Sequence, residues 1–165
     1  MTYIQSLISN NLNKRILVDA NLLILYLIGT FDRSQVETDK NTRAYTCEDF
    51  DLLRKLLINS KIVVTPNILT EVSNLASSSN ELSKQRLFAY MGKLFEQVGE
   101  VYIPSNNINK QVLRKFGLTD SVIHKLAEDK ILVLTADFPL YGYLSSIGLN
   151  VINFNHARTE FMVRK

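Results

Sequence analysis

The chain has 165 residues, 46% hydrophobic and 21% charged, with a net charge of +3. That length fits one domain, residues 1–165, able to bury ~70% of its unfolded surface without a disulfide or structural metal. Cys47 is the only cysteine, which excludes an intrachain disulfide and a cysteine-built zinc site, and it is expected to be a half-buried inert thiol.

Residues 1–13 are polar and place no long apolar run behind basic residues, so no signal peptide is expected. The longest apolar run, 22–28, is far short of the ~20 residues that span a bilayer. The expectation is a cytoplasmic protein with no membrane partner.

Five short apolar runs read as strands: 16–18, 61–64, 101–103, 131–134 and 150–154. After the first, the run 22–28 reads as helix, and 31–45 reads as one long polar loop of a kind that is often functional. Thr46 and Asp49 form a capping pair for a helix over 47–58. Pro66 opens a helix over 67–76, Ser77 to Asn80 is a turn, and 81–98 reads as a long helix. Gly117-Leu118-Thr119 closes one short helix and caps the next, 120–129. Strands alternating with helices predict an α/β fold, a three-layer α/β/α sandwich around a five-stranded parallel sheet. The first, second and fourth runs are continuously apolar, as buried parallel strands are.

Four acids fall at the carboxyl edge of that sheet, where open α/β folds bind ligands. Asp19 directly follows the first strand, and Asp137 follows the fourth after Thr135-Ala136. Asp120 starts a helix that must run back from the same edge. Glu71 borders the apolar stripe of Ile68, Leu69, Val72, Leu75 and Ala76 on the helix after the second strand. Singly, each acid is equally well explained as a helix cap, a first-turn residue or a solvated face residue. Together they would repel one another, and a hard cation such as Mg²⁺ would relieve the repulsion while binding phosphate. Setting the four acids aside takes the remaining charge from +3 to +7, a surface suited to a polyanion.

The ordered set Val18-Asp19-Ala20-Asn21, residues 65–72, Gly117-Leu118-Thr119-Asp120, Leu134-Thr135-Ala136-Asp137 and residues 148–154 resembles the PIN-domain nucleases. The resemblance covers roughly residues 15 to 154. It implies a five-stranded parallel sheet, a Mg²⁺ or Mn²⁺ site and endoribonuclease activity. By motif it makes Asp19, Glu71, Asp120 and Asp137 the catalytic and metal-site acids. Thr135 would orient them by hydrogen bonding, and Asn21 would support Asp19. Many bacterial members, the VapC-like proteins, are toxins held by an antitoxin, so the implied partners are RNA and a protein antitoxin, with a homodimer also open. The chain departs from the compact toxins chiefly in its long loop, 31–45.

Further residues are candidates for binding substrate. Lys110, Arg114 and Lys115 closely precede Asp120 and are placed to meet phosphate. The loop should bring Arg43 and Tyr45 towards the acids. His124 lies one turn after Asp120, where pairing with that acid on the surface competes with a phosphate contact. Tyr141 and Tyr143 offer rings to a base, although packing is the commoner role. Arg158, Arg164 and Lys165 read as solubilising. The alternatives are an RNA-processing or DNA-directed nuclease of the same fold, or a catalytically silent α/β binding domain. A signalling receiver would carry paired acids after the first strand and a Lys after the last. Here Ala20 and Asn21, then Asn155 and His156, stand there instead.

Overall fold

A computed structural model describes residues 2–11 and 14–162; Arg164 and Lys165 lie outside that range. In chain order the elements are α1 (Tyr3–Asn10), β1 (Arg15–Val18), α2 (Ala20–Phe31), a 3-10 turn (Arg33–Gln35), α3 (Cys47–Leu57), β2 (Lys61–Val64), α4 (Pro66–Ser77) and α5 (Glu81–Phe95). They continue as β3 (Gly99–Glu100), a second 3-10 turn (Ser105–Asn107), α6 (Lys110–Phe116), α7 (Leu118–Glu128), β4 (Leu132–Thr135), α8 (Phe138–Ser146), β5 (Val151–Asn153) and α9 (Phe154–Met162).

The sheet is five-stranded and wholly parallel, in the order β3-β2-β1-β4-β5, and the fold is a three-layer α/β/α sandwich. Strand order runs outward from β1 through β2 to β3, then resumes on the other side with β4 and β5. The switch point therefore lies between β1 and β4, and the carboxyl ends of these strands are where open α/β folds bind ligands. Leu17, Val18, Val64, Val133 and Leu134 are fully buried, as strands covered on both faces must be. The helix α2 is apolar all round, and Leu22 to Leu25 are inaccessible, because it is packed against α3, α4 and α5.

Several expected boundaries shift for local reasons. The third strand is Gly99–Glu100, not 101–103. Val101 adds one hydrogen bond to the Val64 carbonyl at 2.9 Å, and β2 then ends because Thr65 turns to cap α4, leaving 102–103 without a partner. The helix predicted over 81–98 stops at Phe95. Gly117, with φ +88°, both closes α6 and begins α7, so that helix starts at Leu118 rather than being capped by Thr119. Phe154 leaves the last strand to open α9.

The long loop is packed rather than open. Val36 and Thr42 are fully buried, and the Thr42 hydroxyl donates to the Val36 carbonyl at 2.8 Å. Buried Asp39 accepts from the backbone and side chain of Asn41 and faces Arg86 of α5 at 3.6 Å. The loop is thus docked on the α4–α5 corner.

Candidate active site

Asp19 extends β1 by one residue, and its amide donates to Leu134 of β4 at 3.1 Å. Its side chain is 6% exposed and accepts three hydrogen bonds. One carboxylate oxygen accepts the Leu22 amide at 3.1 Å, which caps α2, and the other accepts the Ala136 amide at 3.0 Å and the Thr135 hydroxyl. Burial raises its pKa; the hydrogen bonds from Thr135, Leu22 and Ala136 work against that rise, and the charge of Asp137 adds to it.

Asp137 is fixed by the same short segment. Its amide donates to Thr135 Oγ1 at 2.9 Å, and its carboxylate accepts the Leu140 amide at 2.7 Å, capping α8. Asp137 is exposed, and its second carboxylate oxygen is not used by the cap.

The other two acids arrive on helices. Thr65 caps α4 at the end of β2, and Glu71 stands exposed on that helix, which packs against α7. Asp120 lies in the first turn of α7 and is half-buried. Its pKa is pushed up to about 7, first by burial and then by the charges of Asp137, Glu71 and Asp19. One carboxyl therefore feels all three of the others.

The donor set is carboxylate oxygen throughout, the chemistry of a hard divalent cation. Among the described residues no three His, Cys, Asp or Glu side chains stand close enough to form a ready-made cage. Mg²⁺ does not require one, since it is commonly held by one or two carboxylates with water and substrate phosphate completing the shell. Mutual repulsion also keeps bare carboxylates apart. Only the donor chemistry, not the spacing of these side chains, suits such an ion.

The other expected site residues divide. Thr135 is buried against Asp19. Asn21 is exposed and makes no hydrogen bond to Asp19, whose support comes instead from two backbone amides and Thr135. His124 is only 3% exposed, with Nδ1 3.9 Å from Glu128 and its ring 5.7 Å from that of Tyr143. Neither surface pairing with Asp120 nor a phosphate contact describes it. Lys110, Arg114 and Lys115 are exposed on α6, which packs against α7, and Lys115 lies over the rings of Phe116 and Tyr143. Tyr143 is thereby packed, whereas Tyr141 faces His156 and Phe138. Arg43 is exposed on the loop. Tyr45 packs against Phe154 and Arg158, and its pKa is raised by burial and then by the charge of Asp19.

Arg158 is no solubilising residue. It grips Asp49, 3% exposed, through Nε at 2.7 Å and Nη2 at 2.8 Å, and its guanidinium lies 5.4 Å from the Tyr45 ring centroid. Asn153 and Asn155 were also missed. Asn155 Nδ2 donates to the Ala136 carbonyl at 3.3 Å, and Asn153, paired with Thr135 in the sheet, keeps a buried Nδ2 without a partner among the described residues. The available signal was two polar residues breaking the last apolar run at its carboxyl end.

A cleft of about 880 Å³ lies at the opposite edge, where Arg15 and Lys61 begin their strands. It contains none of the four acids and sits at the amino ends of the strands, away from the ligand edge of such folds. No protein-family model and no curated protein sequence matches the chain.

Proposed function

We propose that the chain is a divalent-metal-dependent nuclease, an endoribonuclease of the kind its resemblance to PIN-domain proteins implies. The observation that carries this reading is the coupling of Asp120 to Asp137, Glu71 and Asp19 beside the β1–β4 switch point. Carboxylates of this set would hold Mg²⁺ or Mn²⁺, with water and substrate phosphate completing the shell. The ion supplies positive charge for a phosphodiester and a more acidic water. Asp19 keeps a fixed orientation because Thr135, Leu22 and Ala136 occupy its inner lone pairs. The pKa of Asp120, raised by burial and by its three acidic neighbours, marks where a bound cation would relieve the repulsion. Lys110, Arg114 and Lys115 attract the backbone of the substrate from α6.

Among the described residues no helix is long and apolar enough to cross a membrane. A cytoplasmic ribonuclease needs restraint, and a protein inhibitor whose Arg pairs with two of these carboxylates would compete with the ion. The second reading is a catalytically silent α/β binding domain, which does not need the four acids to gather around an ion.

Incubation of the purified protein with RNA or single-stranded DNA tests both. Cleavage of RNA in Mg²⁺ or Mn²⁺ that stops with EDTA supports the nuclease. Absence of cleavage of either polymer in either metal overturns it in favour of the silent domain, and cleavage of DNA alone moves the reading to the DNA-directed alternative. Growth arrest on expression of the chain alone, relieved by a neighbouring gene product that co-purifies less well in excess Mn²⁺, supports the toxin role. No effect on growth points to RNA processing.

A further inference from the structure

The residue that follows Asp137 is Phe138, and it is 65% exposed. It occupies the first position of α8, where the helix itself demands no large apolar side chain. Its ring is 6.3 Å from that of Tyr141, one turn on, and 6.4 Å from that of His156 on α9. Tyr141 and His156 meet edge to face at 5.1 Å and 85°. Three rings thus form one cluster at the carboxyl edge, adjoining a site acid.

The cluster is held in place before any ligand arrives. Asn155, next to His156, donates from Nδ2 to the Ala136 carbonyl at 3.3 Å and from its amide to Asn153 Oδ1 at 2.9 Å, and it accepts from Arg158 Nη1 at 3.3 Å. The start of α9 is therefore tied to the segment that leads into α8. Arg158 is in turn anchored on buried Asp49. Preorganised aromatic rings bind at a low entropic cost.

We propose that Phe138, Tyr141 and His156 form a stacking platform for an unpaired base of single-stranded RNA, that of a nucleotide flanking the phosphate held by the acids. The proposal rests on the nuclease reading for the position of that phosphate. Every base presents a π face, so the platform confers a requirement for an unpaired base rather than for a particular one. Duplex RNA, whose bases are stacked inside the helix, is excluded. The other exposed rings do not offer this: Tyr3, Phe95, Tyr102 and Phe161 belong to no ring cluster among the described residues.

The chain contains no tryptophan, so Phe138→Trp installs a single tryptophan on the platform, excited selectively at wavelengths beyond tyrosine absorption. The full-length variant is titrated in EDTA at low ionic strength with oligouridylate, and with an abasic ribose-phosphate oligomer of the same length. Quenching by oligouridylate at about 10-fold lower concentration than by the abasic oligomer supports the proposal. Equal quenching by the two, or none by either, overturns it. Quenching that grows with protein concentration alone, without RNA, also overturns it and assigns the rings to an interface between copies of the chain. Because no cleavage is needed, a base-dependent signal from a protein that cuts nothing would sink the nuclease reading and leave the platform. Conversely, active wild-type enzyme whose Phe138→Ala variant keeps the same KM for single-stranded RNA would sink the platform and leave the nuclease. The expected result is a KM about 10-fold higher with kcat nearly preserved, restored by Phe138→Tyr.

Discussion

The Thr135 hydroxyl donates to the Asp19 carboxylate across the boundary between β1 and β4, while it accepts the Asp137 amide at 2.9 Å. One side chain therefore sets the orientation of both strand-end acids. The arrangement follows from register: Val18 pairs with Leu134, so the residues immediately after them, Asp19 and Thr135, are level at the sheet edge.

Thr135→Val keeps the shape and β propensity but removes the hydroxyl. Asp19 retains two amide donors and loses its third partner, in a position without access to solvent. The variant should be destabilised by about 1–3 kcal/mol and bind Mn²⁺ about 10–100-fold more weakly. Thr135→Ser should recover most of the binding. Calorimetric titration of Mn²⁺ checks this, and unchanged affinity would show that the hydroxyl does not orient the site.

Asp120 gives a pH signature with a definite sign. Its pKa rises on folding from 3.8 to about 7, so the folded protein holds this proton more tightly than the unfolded chain. The contribution is fully present below the unfolded value and is lost as pH rises through about 7. Asp120 is only partly buried, and solvent screening reduces the effect to on the order of 1–2 kcal/mol. In EDTA, Asp120→Asn should therefore become more stable relative to wild type between about pH 4 and about pH 8. Urea unfolding at several pH values measures it. A stability difference independent of pH would mean that the four acids do not meet.

Arg158 and Asp49 make the tie that holds α9 against α3. Arg158→Ala leaves a carboxylate stranded at 3% exposure and should cost about 3–5 kcal/mol. Arg158→Lys keeps the charge but loses the two-pronged contact, and should fall between. In an Asp49→Asn background the same alanine change should cost clearly less. Additive costs in that cycle would mean the pair is not coupled.

Gly29 of α2 lies where a methyl group would come within 2.2 Å of the Phe50 ring on α3. Gly29→Ala should destabilise by about 1–3 kcal/mol through overpacking, and Phe50→Leu should relieve it. Thermal unfolding of the three variants is the check. A neutral Gly29→Ala would show that α2 and α3 are not in close contact.

These relationships differ in how legible they are in the sequence. Ile16-Leu17-Val18 and Ile131 to Leu134 announce buried parallel strands because two covered faces permit no polar alternation. The acids at their ends then follow by position. The third strand was misplaced because Val101 and Ile103 look like strand residues, while pairing is fixed by where β2 stops. The role of Arg158 is not legible locally, because its partner is 109 residues away and local charge pattern carries no trace of a tertiary ion pair. His124 shows the reverse: helical spacing puts it near Asp120, but burial beside Tyr143 decides what it meets.

The central claim, that these acids form a metal-dependent nuclease site, is tested most directly by the single-turnover rate of RNA cleavage for wild type and Asp19→Asn in saturating Mn²⁺, with folding verified by circular dichroism. The folded variant should be at least ~10²-fold slower, because the best-oriented carboxylate has lost its charge. A folded Asp19→Asn protein that cleaves as fast as wild type would contradict that claim.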